Sequence, residues 1–565
     1  MSGAAQLAQC VSCHCWLPRS RLRGSLHCKA CQTEFLNEIK AQAAARRRQG
    51  KRAAGPVPGD VLATASVPRA PAPAAVLPPH QLVLAPMVGG SELPFRLLSR
   101  RYGAQLCYTP MLYSSRFVES EAYRREQLRA HPYGADAPLV VHFCGNDPDV
   151  LVAAGRLAAK RAGVVAVDLN LGCPQRVAHA GNFGSYLCAT EAGRTTALRC
   201  VAAMARHVPV PVFVKIRLLD EGVPDTVAFC SQLREAGAAL LAVHARYRGS
   251  PTRRRDGPAD LEAVRAIKAA LPDMPILSNG NIRDARDLLA ALKATGADGI
   301  MSAEGALDDP AIFARAVALN AQRRKKLRKE IKAAPEDAKL QKKLAKMPFL
   351  PFLQMCSSDA AELPDRPTLA LEYLQLAREH SDGGPAAVAS ARFHVRRMCR
   401  EQLTERAHLG PLLEAATALG QVEAVVRACV SDAPGADAAA LAELTRAAAC
   451  EKRNAEKRKE FVGRMQRKAK REGHPEDHYL RTGSVPPTAS DVAALRGMEA
   501  DKRMAWWADR FGQHCLALHA EGVCARAVSD FGCAYLHVPA TPDGAAEPLG
   551  TPSWLAENVA GKPVP

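Results

Sequence analysis

The chain has 565 residues, 18 cysteines and a formal net charge of +19 at pH 7. It has no run of eighteen apolar residues and no apolar leader, which argues against a membrane protein and a secreted protein. In a chain without a secretory signal, scattered cysteines are better interpreted as reduced thiols and metal ligands than as disulfides. We therefore expect a multidomain protein of the cytoplasm or the nucleus.

The positive charge is concentrated in three segments. Residues 1–60, 323–346 and 452–471 carry net charges of +7, +8 and +8, and the remaining residues together carry −4. This distribution favours a near-neutral body with basic arms that bind a polyanion such as nucleic acid. The alternatives are solvated helix faces and nuclear import signals.

The first 36 residues form a small cysteine-rich module. Cys10-x2-Cys13 and Cys28-x2-Cys31 have the spacing of a zinc ribbon, in which two thiolate pairs complete a tetrahedral Zn²⁺ site. His14 and Cys15 are further candidate ligands. Residues 37–80, rich in alanine, arginine and proline, are interpreted as a linker.

From residue 81 onward, apolar runs alternate with segments of helical periodicity. Nearly continuous apolar strands that alternate with helices indicate parallel strands buried on both faces. Eight such strands predict an α/β fold, a (β/α)8 TIM barrel over residues 81–320, with a doubly wound open sheet as the alternative. The eight runs are Leu82–Met87, Leu106–Met111, Pro138–Phe143, Val164–Asn170, Pro211–Arg217, Leu240–Ala245, Met274–Gly280 and Gly299–Gly305.

Polar side chains and glycines collect at the carboxyl ends of these strands, where a barrel carries its active site. The glycines after the seventh and eighth strands match the usual phosphate site of barrels, which predicts a phosphate-bearing cofactor. Periodicity leaves flavin mononucleotide (FMN), pyridoxal phosphate and a sugar phosphate open. The residues at the strand ends are Pro86, Met87, His142, Asn170, Cys173, Lys215, Arg217, His244, Asn279, Gly280 and Gly305.

The chain beyond the barrel divides into three further segments. Residues 321–364 are a basic insertion or linker, and residues 365–430 have helical periodicity throughout, typical of a separate helical domain. Residues 431–565 form a charged tail, helical or disordered, that carries no assignment.

Several motifs, in order and spacing, resemble those of the tRNA-dihydrouridine synthase family. The resemblance covers about 81–315 and extends to the helical segment, where 391–394 (ARFH) also matches. It is closest to the eukaryotic branch that acts on D-loop positions 16 and 17. The matching motifs are 84–87 (LAPM), 108–111 (YTPM), 143–148 (FCGNDP), 168–176 (DLNLGCPQR), 243–244 (VH) and 301–305 (MSAEG).

The resemblance implies an FMN enzyme that reduces uridine in tRNA to 5,6-dihydrouridine, with NADPH or NADH as the reductant. It implies that Cys173 is the general acid and that Asn170 and Arg217 bind the substrate. The helical segment would bind tRNA, and we expect a monomer with no membrane attachment. The implied flavin-binding residues are Pro86, Met87, His142, Lys215, His244, Asn279, Gly280 and Gly305.

The sequence departs from the family pattern at two positions. His142 stands where the family usually has glutamine, and His179 stands where a basic residue is common. Two other functions therefore stay open: a flavin barrel that acts on free pyrimidines, like dihydroorotate dehydrogenases, and a degenerate barrel kept as an RNA-binding module. The basic segments argue against the first, and the retained Cys173 argues against the second.

Overall fold

The computed structural model describes residues 7–9, 16–18, 77–128, 134–248, 258–345, 347, 363–431, 438–471, 473, 487–511 and 514–522. The chain forms two compact units, one of Gln32–Ser381 and one of Met1–Cys31 together with Asp382–Pro565. Strands β1 (Leu7–Gln9) and β2 (Trp16–Pro18) pair antiparallel in the second of these. The four predicted zinc ligands, Cys10, Cys13, Cys28 and Cys31, lie outside the described residues, so the zinc site stays a prediction.

Eight parallel strands close into a barrel, which confirms the predicted α/β fold. The closing order is β3, β4, β6, β7, β8, β9, β10 and β11, and β11 pairs again with β3. The two-residue strand β5 (Leu112–Tyr113) adds a second parallel pairing to β6. The barrel strands are β3 (Leu82–Leu84), β4 (Leu106–Tyr108), β6 (Leu139–Cys144), β7 (Val164–Leu171), β8 (Val212–Leu218), β9 (Leu240–Tyr247), β10 (Ile276–Asn279) and β11 (Gly299–Ser302).

Strand alternation divides the barrel side chains into two layers. Val140, Ala166, Phe213 and Ala242 belong to a cluster that fills the barrel interior. Their sequence neighbours, such as Val167 on β7, belong to a larger cluster that includes residues of the surrounding helices. Because successive strand residues point to opposite faces, polar residues in register with the interior set must also point inward.

Helices and one 3₁₀ helix (Gly184–Ala189) surround the barrel. Most of the longer ones begin with an ordinary cap, such as Asp147 before α4, whose carboxylate accepts from the amides of Asp149 and Val150. The helices are α1 (Leu93–Arg101), α2 (Ser114–Glu119), α3 (Glu121–Gln127), α4 (Pro148–Ala159), α5 (Arg176–Gly181), α6 (Glu191–His207), α7 (Val223–Glu235), α8 (Leu261–Ala270), α9 (Ala285–Thr295), α10 (Glu304–Asp308), α11 (Ile312–Ala333) and α12 (Ala338–Ala345).

One further helix, α13 (Arg366–His380), belongs to the barrel unit and packs against α1. The Tyr373 hydroxyl donates to Glu92 at 2.8 Å, and the Tyr102 hydroxyl donates to Glu372 at 2.5 Å. The sequence pattern places the start of the helical domain at 365, whereas the two units divide at 381/382. Helical periodicity predicts helices without showing which core they join.

Apart from the β1–β2 pair, the other unit is mainly helical in its described part. Its first four helices bury an apolar core of their own that includes Val395, Leu413 and Val425. Among the described residues, no helix is both long and apolar enough to span a bilayer. The helices are α14 (Pro385–Met398), α15 (Arg400–Glu405), α16 (Leu409–Ala415), α17 (Leu419–Val430), α18 (Ala438–Arg471), α19 (Ala489–Gly497), α20 (Ala500–Arg510) and α21 (Leu516–Glu521).

Candidate active site

The polar residues at the strand ends meet at one mouth of the barrel because the strand register places them side by side. Asn170 on β7 is in register with Lys215 on β8, and Arg217 is in register with His244 on β9. His244 is also in register with Asn279 on β10. Neighbouring strands lie about 4.8 Å apart. The sequence-predicted residues on these strands therefore form one continuous polar surface.

The loop that carries Cys173 is held by hydrogen bonds to its backbone. The side-chain oxygen of Asn170 accepts from the amides of Gly172 and Cys173 at 2.9 and 3.0 Å. Arg217 Nε donates to the Gly172 carbonyl at 3.0 Å. The amide and the hydroxyl of Ser185 both donate to the Cys173 carbonyl, at 3.1 and 3.0 Å. These bonds fix the direction in which the half-buried Cys173 thiol leaves the backbone.

Apolar and aromatic side chains surround the Cys173 thiol. It packs in a cluster that contains Met111, Tyr113, Phe183 and Cys144. Cys144 is 2% exposed, and burial raises the pKa of its thiol well above the ordinary value. Of these two neighbouring thiols, Cys173 is the more accessible one, so it is the thiol that can meet a molecule entering the mouth.

Positive charge concentrates on the next two strands. Burial, with a further contribution from Arg217, lowers the pKa of Lys215 to about 8. Burial and then the neighbouring Arg246 lower the pKa of Arg217 to about 10. Lys215 Nζ donates to the side-chain oxygen of Asn279 at 3.2 Å. Each cation makes the others harder to protonate, because like charges repel. An electron-rich or anionic group bound here would relieve that repulsion.

His244 is held neutral in this surrounding. Burial and then the charges of Lys215, Arg217 and Arg246 lower its pKa well below the ordinary value. Its Nε2 lies 3.1 Å from Arg246 Nη1. A guanidinium can only donate, so Nε2 must accept and the proton must sit on Nδ1. His244 can therefore offer an N–H only from Nδ1.

His142 is paired more deeply in the barrel. Its side chain is 2% exposed, and Nδ1 lies 2.5 Å from the carboxylate of Asp168, which is completely buried. Burial raises the pKa of Asp168, and the neighbouring His142 acts in the opposite direction. The second oxygen, Asp168 Oδ1, has no hydrogen-bond partner among the described residues. The pairing leaves Nε2 as the one ring nitrogen of His142 that a ligand could use.

Two glycines near the ends of β10 and β11 permit close approach of the backbone. Gly280 has φ +118°, and an added Cβ would lie 3.1 Å from Ala259 and 3.2 Å from the His244 ring. At Gly305 an added Cβ would lie 2.4 Å from the carbonyl oxygen of Ile282. No side chain fits at Gly305, and at Gly280 one would be strained. After β3, the strand that pairs with β11, Pro86 and Met87 are half-buried in the turn before α1.

The sequence pattern places Arg246 at the end of the sixth strand and Asp168 in the cysteine-loop motif, but it assigns no role to either of them or to Ser185, and all three organise this mouth. Asp168 precedes Asn170 by two residues on β7, so strand periodicity alone places it on the same face. Arg246 follows His244 by the same interval on β9. Ser185 reaches Cys173 from twelve residues away through the 3₁₀ helix, and no local pattern in the sequence indicates that contact.

Comparison with known proteins agrees with this geometry. The family model "Dihydrouridine synthase (Dus)" matches residues 83–349. A protein of Rattus norvegicus named tRNA-dihydrouridine(16/17) synthase [NAD(P)(+)]-like is 43% identical over 235 residues, which are 41% of this chain and 51% of the relative. The tRNA-dihydrouridine(16/17) synthase [NAD(P)(+)] of Schizosaccharomyces pombe is 40% identical over 232 residues, or 41% of this chain and 56% of the relative.

A third relative is covered more completely. It is an uncharacterised tRNA-dihydrouridine synthase-like protein of Caenorhabditis elegans, 37% identical over 228 residues, which are 40% of this chain and 77% of the relative. The chain spans about half the length of the rat and yeast relatives that it matches. In all three comparisons the similarity is thus a barrel-sized segment.

Proposed function

The chain belongs to the dihydrouridine synthase family, and from this premise we propose that it reduces uridine to 5,6-dihydrouridine in tRNA. The observation that carries the proposal is the fixed Cys173 loop beside the cations Lys215 and Arg217 and the neutral His244. The names of the rat and yeast relatives favour D-loop positions 16 and 17 and a nicotinamide reductant. NADPH or NADH would supply the reducing equivalents.

The mouth fits FMN. Gly280 and Gly305 follow the seventh and eighth barrel strands, where barrels commonly hold a phosphate, and the close packing around both positions excludes or strains a side chain there. Lys215 provides the cation that suits an electron-rich ring, and Asn279 holds its ammonium group. Pro86 and Met87 provide an apolar surface, and His244 Nδ1 provides a donor. A bound flavin would supply a hydride equivalent for C6 of the uracil ring.

Cys173 supplies the proton that completes the reduction. When the C5=C6 double bond accepts a hydride at C6, negative charge develops at C5, and a new C–H bond there requires an acid within reach. The S–H proton of Cys173 moves to C5, and water reprotonates the thiolate afterwards. Lys215 and Arg217 both interact electrostatically with Cys173, so their positive charges stabilise the thiolate that this step leaves.

The contacts refine three proposed roles. The side-chain oxygen of Asn170 already accepts two hydrogen bonds from amides of the Cys173 loop. Only its NH₂ group, 3.0 Å from Met111 Sδ, can therefore face a uracil. Arg217 donates to the carbonyls of Gly172 and Tyr247, so we propose that it positions the loop as well as binding substrate. His142 occupies the position of the family's glutamine and can contact the flavin only through Nε2, because its Nδ1 is paired with Asp168.

The uridine must leave the tRNA stack to reach a half-buried thiol, which costs a few kcal/mol. We propose that the helices after 381 supply binding energy for this step. The remaining proposals are a structural Zn²⁺ ion on Cys10, Cys13, Cys28 and Cys31, a monomer, and a location in the cytoplasm or nucleus.

The test is dihydrouridine mapping on unmodified tRNA with the full-length protein, FMN and NADPH, together with the flavin absorbance of the purified protein. We expect a flavin-loaded protein that reduces a D-loop uridine and leaves free uracil and orotate unchanged. Reduction of the free pyrimidines alone would identify an enzyme of the dihydroorotate dehydrogenase type. A colourless protein that leaves tRNA unmodified even with added FMN would identify a degenerate barrel.

A further inference from the structure

The second half of α11 and all of α12 form a strongly basic helical hairpin, which we define as residues 323–345. Ten of its 23 residues are lysine or arginine and three are acidic. Nine of the ten cationic side chains are exposed, and Arg324 is half-buried. It belongs to the same compact unit as the barrel. The mouth described above uses none of its residues.

The fold of the basic hairpin does not depend on this charge. Leu327 is 3% exposed, and Ile331, Leu340 and Leu344 are half-buried, so the two helices meet through an apolar seam. The carboxylate of Asp337 caps α12 by accepting from the amides of Lys339 and Leu340. Neither the seam nor the cap uses a lysine or arginine side chain.

The cations of the hairpin outnumber its three acidic residues and repel one another. Lys325 and Lys329 are four residues apart on α11, and Lys339 and Lys343 are four apart on α12, where like charges destabilise a helix. None of the ten cationic side chains forms an ion pair with a side chain of the described part of the chain. An external polyanion would neutralise a charge that the fold itself leaves unbalanced.

We propose that the basic hairpin is a docking surface for the phosphate backbone of the tRNA substrate. Lys325, Lys329 and Lys332 follow each other at helical spacings of four and three, which places their Cβ atoms roughly 5–6 Å apart along one face. Successive phosphates of an RNA strand have a comparable separation. No large apolar side chain is exposed between 323 and 345, so the hairpin lacks the apolar face that membrane-surface helices insert.

This inference rests on the proposed function for the identity of the RNA and goes beyond it by adding a contact surface outside the mouth. Lysine contacts to phosphate position a nucleic acid without reading its sequence. The hairpin would therefore raise the affinity for tRNA and leave the choice of uridine to the mouth. It would also make the affinity steeply dependent on salt, because each phosphate contact releases counterions.

The test compares two triple variants of the full-length protein that lose the same charge. One is Lys325→Gln/Lys329→Gln/Lys332→Gln, and the matched control is Arg199→Gln/Arg206→Gln/Lys293→Gln, three exposed cations of the barrel helices. The dissociation constant of unmodified tRNA is measured by fluorescence anisotropy from 50 to 250 mM KCl. Thermal unfolding shows that each variant is folded.

We expect the hairpin variant to bind tRNA at least about tenfold more weakly at 100 mM KCl and to lower the slope of log Kd against log[KCl] by about two. The control should change the affinity by less than twofold. Equal effects of the two variants would overturn the inference, because net charge and not the hairpin would then matter. Unchanged tRNA affinity with lost binding to phosphatidylserine vesicles would overturn it as well and indicate a membrane surface.

The outcome separates this inference from the proposed function. If the wild-type protein forms dihydrouridine and the hairpin variant binds tRNA normally, the function stands and the docking surface is wrong. If the hairpin variant loses tRNA affinity but the wild-type protein forms no dihydrouridine, the docking surface stands and the function is wrong.

Discussion

The barrel mouth and the basic hairpin are both rich in positive charge, but they hold it in opposite ways. In the mouth, Lys215 and Arg217 are at least half-buried, are hydrogen-bonded to defined acceptors and have lowered pKa values. In the basic hairpin, residues 323–345, almost every cation is exposed and unpaired among the described residues. Buried charge with fixed direction suits chemistry at one atom, whereas exposed flexible charge suits any phosphate chain.

The largest expected effect is that of removing the Cys173 thiol. We expect Cys173→Ala to lower kcat for dihydrouridine formation by roughly 100- to 10,000-fold, the usual contribution of a general acid, while flavin content stays the same. Single-turnover mapping of dihydrouridine with prereduced enzyme measures this. Cys200→Ala, a buried thiol on α6, is the matched control and should retain activity. A Cys173→Ala enzyme as fast as the wild type would remove the acid role.

A change at Arg217 tests whether the direction of charge in the mouth matters. Arg217→Lys keeps the cation, but one ammonium cannot reproduce the two bonds to the carbonyls of Gly172 and Tyr247. We expect kcat to fall roughly 10- to 100-fold because the Cys173 loop shifts. Arg265→Lys, in an exposed pair with Glu262, should be neutral. If both variants behave alike, the mouth requires only the positive charge at residue 217 and not the oriented hydrogen bonds of the guanidinium.

The pH dependence of flavin binding sharpens the same comparison. Because the pKa of Lys215 is lowered to about 8, its charge is largely present at pH 7 and largely lost at pH 9. If only the charged form binds FMN, the dissociation constant rises about tenfold between these values. Fluorescence titration of apoprotein with FMN measures it, and Lys215→Gln should flatten the profile. A flat wild-type profile would show that another residue provides the cation.

The smallest expected effect concerns the stability of the hairpin. We expect Lys325→Gln/Lys329→Gln/Lys332→Gln to change the free energy of unfolding by less than about 0.5 kcal/mol, and in the stabilising direction, because it relieves like-charge repulsion. Urea unfolding followed by circular dichroism measures this. A marked loss of stability would mean that these lysines support the fold, and the contrast with the mouth would no longer hold.

The sequence predicts the barrel well because buried parallel strands leave a strong local signal. All eight predicted apolar runs contain or overlap an observed strand, and each observed start lies within two residues of the predicted one. The strand ends with polar side chains also meet as expected. The sequence does not show which hydrogen-bond partners those side chains have.

Asn170 illustrates that limit. The motif marks it as a residue for substrate, but its oxygen organises its own loop, because an asparagine next to a turn is well placed to accept from the following amides. His142 is a second case, since its pairing with Asp168 joins residues 26 positions apart. Such pairings depend on the register between neighbouring strands, and the sequence of one strand does not indicate which residue of the next strand lies beside it.

The packing of α13 against α1 determines how the barrel and the helical region would behave if each were expressed as a separate fragment. A barrel cut after residue 364 would lose the partners of Tyr102 and Glu92 and expose the face of α1 that α13 covers. A helical fragment that begins at 365 would carry α13 with Leu369, Tyr373 and Leu374 laid bare to water, an aggregation hazard. In this part of the chain the boundary between the two compact units lies at Ser381/Asp382, after the helix and not before it.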